Sequence, residues 1–107
     1  ILISISAGAS FVARCNPKDI EGTSEIIKKA ILHKGFSFVE MLQDCLIFNY
    51  PDNLEKRMYR INNSLDFDKA ITLAKEWDYD NEDAKIPIGI FYQTQKQTLE
   101  EKWYKKR

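Results

Sequence analysis

Apolar and polar positions change rhythm at a turn cluster, Asn49, Tyr50, Pro51, Asp52 and Asn53, which divides the chain into residues 1–49 and 50–107. In the first part, residues 10–14 form a short β-prone run after Gly8, and Asn16-Pro17 stops it and supplies helix-start chemistry. Ile20, Ile26, Ile27, Ala30 and Ile31 then share one helical face despite Gly22. His33 and Lys34 fall in the last turn of that helix, where positive charge suits the macrodipole, and Gly35 can close it in the left-handed conformation. Residues 36–42 follow as an apolar run of strand length. Strand, helix and strand together predict a βαβ unit, for which a right-handed parallel crossover is strongly preferred.

The pattern at the two flanks is different. At residues 1–7 Ile and Ser alternate, a period of two that reads as a strand. Beyond the turn cluster, Leu54, Met58 and Ile61 predict a short helix. Phe67, Ala70, Ile71, Ala74 and Trp77 predict a better amphipathic one, capped by Ser64 or Asp66. An acidic loop at residues 78–83 precedes an extended segment, residues 86–92, in which Pro87 forbids one ladder bond and so favours an edge position. Thr98 with Glu101 three residues later makes a capping box for a last helix ending near Tyr104. Met and aromatic residues at these spacings read as core.

Composition narrows the function classes. At 107 residues and 44% hydrophobic, the chain has the size of one domain with a modest core. Its 16 Lys and Arg balance 16 Asp and Glu, so no global field draws it to nucleic acid or an anionic membrane. The basic end, Lys105-Lys106-Arg107, is too short a cluster to supply the many phosphate contacts that nucleic-acid binding needs. No apolar stretch approaches the roughly 20 residues of a membrane helix. The start lacks an initiator methionine, a basic region and a continuous apolar core, so it reads as an interior segment and not as a signal peptide. Two cysteines far apart in sequence fit neither a zinc site nor a secreted disulfide scaffold, and they make a reducing cytoplasm the expected compartment.

Chemistry-bearing residues are few. There is no G-x-S-x-G, P-loop or G-x-G-x-x-G, and no His/Cys metal spacing. His33 is the only histidine, and its place at a helix end reads as capping rather than as a base. Acidic pairs such as Glu100-Glu101 and Asp80 with Asp83 read as solvated charge. In open α/β sheets ligands gather outside the carboxyl ends of the parallel strands. Both Cys15 and Cys45 follow such an end, Cys15 reading as structural.

Four segments in order carry a family resemblance. Residues 8–14 (GASFVAR), 30–36 (AILHKGF), 42–49 (LQDCLIFN) and 86–92 (IPIGIFY) resemble the C-terminal portion of the β subunit of 2-oxoacid:ferredoxin oxidoreductases. The resemblance implies the C-terminal βαβ portion of a thiamine diphosphate-binding α/β fold in residues 1–49. A mostly helical C-terminal extension with one short extended segment is implied for residues 50–107. It makes residues 1–7 the end of a helix rather than a strand. It gives Cys45 the place of the last of four thiolates that hold a [4Fe-4S] cluster, with Leu42, Leu46, Ile47 and Phe48 as apolar shelter.

The sequence also departs from the family pattern. Asp44 stands where the family usually has proline, and an added negative charge there would lower the cluster's potential or hinder its assembly. Cys15 stands where relatives carry a small residue such as glycine, so no role transfers to it. The other three cluster cysteines and the Gly-Asp-Gly motif for magnesium and diphosphate lie upstream in the family. Nothing in residues 1–107 replaces them. The expectation is therefore a fragment, roughly the last third of a β subunit, binding neither cofactor alone. Its parent would oxidatively decarboxylate a 2-oxo acid such as 2-oxoglutarate or pyruvate with coenzyme A, an α subunit and ferredoxin as partners. The Leu-Gln-x-Cys-x-x-Phe-Asn form leans to the 2-oxoglutarate-type and broad-range branches. The alternative is a stand-alone interaction or scaffolding domain without enzyme activity.

Overall fold

The computed structural model describes residues 1–45, 47–48, 54–63 and 66–104. The turn cluster at 49–53, the boundary within it, Ser64 as a cap and the basic end at 105–107 lie outside the described residues. The elements run α1 (Leu2–Ser6), β1 (Phe11–Cys15), α2 (Ile20–Leu32), β2 (Ser37–Met41), a 3₁₀ turn (Leu54–Arg57), β3 (Met58–Arg60), α3 (Phe67–Ala74), β4 (Ile86–Gln93) and α4 (Leu99–Tyr104). One four-stranded sheet of order β2-β1-β4-β3 joins both parts of the chain, an α/β arrangement as expected.

The βαβ unit forms, with β1 and β2 parallel and Phe11 opposite Ser37. Strand β1 is buried along its whole length, because it lies inside the sheet with helices on both faces. Val12 turns to a core with Ile5, Ala9, Ala70 and Phe91 beneath α1 and α3. Its neighbours Phe11 and Ala13 face the other way, packing with Ile90 against Ile26 and Ala30 of α2. This alternation is the period of two that a strand imposes. Asp19 caps α2 by accepting from the Gly22 amide, and Thr23 ties the helix back to the β1 loop by donating its hydroxyl to the Asn16 carbonyl at 2.7 Å.

Residues 1–7 are helical at their centre, as the resemblance implied and the alternation did not. Ile1 and Ile5, four apart, pack toward the core while Ile3 is exposed, and that spacing suits a helix.

Gly35 has a positive φ of 135°, but it does not close α2. The helix ends at Leu32 with His33 already extended. A Cβ on Gly35 would stand 2.1 Å from the Ser10 hydroxyl, so close approach is what demands glycine. That fully buried hydroxyl accepts from the Phe36 amide at 2.9 Å and lies 2.9 Å from Nε2 of His33, pinning the α2–β2 connection to β1.

Two expectations for the second part need correction. The short helix over Leu54, Met58 and Ile61 is instead a 3₁₀ turn followed by β3. Met58 to Arg60 pair in parallel with Ile86 to Ile88, a partnership across sequence that periodicity does not register. The extension thus holds two strands, and β4, at eight residues the longest in the sheet, runs through its centre. Pro87 accordingly does not mark an edge. The Ile88 carbonyl accepts from Ile61 on the β3 side, so Pro87 turns its carbonyl and its missing N–H toward β1. There the antiparallel ladder has already ended at Arg14 opposite Gly89, and the Pro87 carbonyl accepts instead from the Arg14 guanidinium at 3.2 Å. No donor is needed where proline has none.

The remaining local signals hold. Asp66 caps α3 by accepting from the Asp68 and Lys69 amides. Trp77 falls beyond the helix and packs with Leu54, Ile86 and Ile88. Thr98 and Glu101 exchange the two bonds of a capping box at the start of α4.

Candidate metal-ligand site

Because β1 and β2 are parallel neighbours, the loops that follow them leave the same edge of the sheet. The two cysteines share that edge and differ in everything else. Cys15 ends β1, is buried, and points its Sγ at the Glu40 carbonyl 3.7 Å away. Burial pushes its thiol up; a Thr23 hydrogen bond works against this and the Glu40 charge adds to it. A thiol so placed is a structural one, as expected of Cys15.

Cys45 lies four residues beyond the end of β2 and is exposed. The Phe48 amide donates to its Sγ at 3.5 Å, and this bond, joined by one from the Ile47 amide, holds the thiol below its ordinary range. Amide donors converging on sulfur favour the thiolate, the form that ligates metal. The donor chemistry therefore fits one ligand of an iron–sulfur cluster. Among the described residues no group of three or more His, Cys, Asp or Glu comes together as a metal site, so further ligands would have to come from elsewhere. Among the described residues the expected apolar shelter is not formed: Ile47 is 83% and Phe48 88% exposed, and Leu42 packs instead with Leu54, Ile86 and Ile88. Leu46 is outside the described residues.

Periodicity did not find the charged groups that support this edge. Arg14, 3% exposed, pairs with Glu40 of β2 and lies between the Trp77 and Phe91 rings, 4.9 Å and 5.3 Å from their centroids. A buried cation is tolerable here because a carboxylate, a carbonyl and two aromatic faces all meet it. Lys18, in the loop after β1, reaches Asp44 at 3.5 Å and Glu55 of the 3₁₀ turn at 3.0 Å. That contact follows from the strand order, since parallel neighbouring strands bring the loops after β1 and β2 together. The helix-capping role expected of His33 is not what its side chain does: the ring lies beside Phe11 and Nε2 meets the Ser10 hydroxyl, tying the residue after α2 to β1. Burial lowers its pKa.

A parallel βαβ unit, enlarged by an antiparallel strand and carrying an exposed cysteine beyond its carboxyl edge, defines a mixed α/β protein. Residues 48–107 match the family model for the C-terminal region of the pyruvate ferredoxin oxidoreductase beta subunit. The 2-oxoacid:ferredoxin oxidoreductase subunit beta of Saccharolobus solfataricus is 35% identical over 89% of this chain and 35% of its own length. The 2-oxoglutarate oxidoreductase subunit KorB of Mycobacterium tuberculosis is 41% identical over 46% of this chain and 13% of its own. A solved 2-oxoglutarate:ferredoxin oxidoreductase from Magnetococcus marinus, with 2-oxoglutarate, coenzyme A and succinyl-CoA bound, superposes with a TM-score of 0.86 and 28% identity. That superposition covers 99% of this chain and 37% of the solved one. The chain belongs to the β-subunit family of the 2-oxoacid:ferredoxin oxidoreductases, and it spans about a third of the length of the curated relatives it matches.

Proposed function

We propose that this chain serves as the C-terminal part of a β subunit in an enzyme that oxidatively decarboxylates a 2-oxo acid, 2-oxoglutarate by preference. The overall change breaks the bond to the carboxylate, releases carbon dioxide and joins the acyl group to the sulfur of coenzyme A. Two electrons leave one at a time for ferredoxin, and the proton of the coenzyme A thiol goes to solvent. When bound, thiamine diphosphate with Mg²⁺ would supply the carbanion stabilisation and a [4Fe-4S] cluster the one-electron step. The rest of the β subunit and an α subunit would complete the assembly, in a reducing cytoplasm. No helix among the described residues is long and apolar enough to cross a membrane.

The observation that carries this reading is the Cys45 thiol, exposed at the carboxyl edge and supplied with amide donors. Within this chain, Cys45 would hold one iron, with the Phe48 and Ile47 amides offsetting charge on its sulfur. The preference for 2-oxoglutarate is supported by the Leu-Gln-x-Cys-x-x-Phe-Asn sequence and by the substrate named for the Magnetococcus and Mycobacterium relatives. Reduction of ferredoxin by the complete enzyme, followed with coenzyme A and either 2-oxoglutarate or pyruvate, tests it. Faster reduction with 2-oxoglutarate is expected. Equal or faster reduction with pyruvate contradicts the substrate assignment, and no reduction with any 2-oxo acid contradicts the activity and favours a scaffolding role.

A further inference from the structure

We propose that Lys18 and Asp44 form a clasp that positions the Cys45 loop against the sheet edge; its functional meaning rests on Cys45 being a cluster ligand. The Leu42 amide donates to the Cys15 carbonyl at 2.9 Å, carrying the β1–β2 register one step past the end of β2. Two residues later the Asp44 side chain is 10% exposed, while Cys45 beside it faces solvent. Lys18 Nζ lies 3.5 Å from Asp44 Oδ2 and 3.0 Å from Glu55 Oε2, so one ammonium links the loops after β1 and β2 and the 3₁₀ turn. The Lys18 backbone is itself held, its amide donating to the Asn16 side chain at 3.1 Å.

Asp44 Oδ1 is buried, and among the described residues it has no hydrogen-bond partner. A carboxylate tucked away with half its acceptor capacity unmet depends on its counter-charge, and removing one partner leaves the other uncompensated. Asp44 occupies the position where the family resemblance leads one to expect proline. Proline would restrain that position through its ring, and here an ion pair does so. The lysine also offsets the negative charge that Asp44 brings next to the sulfur. Asp44 is thus a positioning residue for Cys45.

Hydrogen exchange of the segment 42–48, measured by mass spectrometry on the complete protein, reads the clasp directly. Lys18→Met and Asp44→Asn should each speed exchange there about fivefold, the upper range for a partly exposed pair. The double variant should add nothing further, and Lys18→Arg should restore the original rate. Exchange in β1 and β4 should not change. Unaltered exchange in both single variants, additive effects, or a rise shared by β1 and β4 overturns the clasp. Iron and sulfide content of Cys45→Ala separates the two claims. If the exchange pattern holds but Cys45→Ala keeps its cluster, the clasp has no ligand to position and the functional half of the proposal falls.

Discussion

Burial raises the Cys15 thiol, whereas amide donors lower the exposed Cys45 thiol, so the two should separate in reactivity. Iodoacetamide at neutral pH should alkylate Cys45 at least about tenfold faster than Cys15, as peptide mapping would show. Comparable rates would mean that the Phe48 and Ile47 amides do not act on the sulfur. His33 gives a second residue-scale outcome. Its folded pKa is lowered from 6.5 by burial, so as pH falls the unfolded chain takes up the proton first. The stability that a neutral His33 preserves is complete above pH 6.5 and is lost as pH falls through that value toward the lower folded pKa. Urea melts at successive pH values should slope downward below neutrality, and His33→Gln should flatten the slope. Tyr59 acts at the other end of the scale. Burial and the Glu76 carboxylate hold its pKa up to about 12, so it strengthens the fold below its unfolded value of 10.0 and loses that contribution as pH rises toward 12.

At the scale of elements, what could be read from the sequence was what local chemistry decides. The β1–α2–β2 unit announces itself through a strand stop at Asn16-Pro17 and a helical apolar face. The α3 cap at Asp66 and the Thr98–Glu101 box lie within a few residues of the amides they serve. Strand β3 was not legible, because its three residues gain their meaning only from pairing with β4. Pro87 misled for the same reason: whether an absent N–H matters depends on where the neighbouring strand stops. The Lys18–Asp44 contact joins loops far apart in sequence and needed the strand order to be seen. Two variants test the elements themselves. Asp66→Ala should cost about 1 kcal/mol by removing the α3 cap, measured by denaturant unfolding. Gly89, at φ 138°, lies beneath Ile61, where a Cβ would stand 3.0 Å from that side chain and 3.2 Å from its carbonyl oxygen. Gly89→Ala should therefore cost about 1–3 kcal/mol through backbone strain, and a neutral result would mean that β3 and β4 do not pack as described.

For the whole molecule, a single sheet carries residues from both parts of the chain, with β4 inserted between β1 and β3. The extension therefore completes the sheet beside β1, and the 3₁₀ turn brings Glu55 to the Lys18 clasp beside the Cys45 loop. The family resemblance read in four short motifs agrees with the matched family model and with a superposition covering nearly the entire chain. Those motifs lie in β1, the end of α2, the Cys45 loop and β4; the end of α2 leads into β2 at the opposite end of the sheet from Cys45. The central claim is that this edge presents Cys45 as one thiolate of a [4Fe-4S] cluster. Its most direct test is iron and acid-labile sulfide content, with the visible absorption of the cluster, in the Cys45→Ala variant of the complete enzyme. Loss of the intact cluster, with Cys15→Ala leaving it in place, is the expected result; full iron and sulfide with an unchanged spectrum in Cys45→Ala would contradict the assignment.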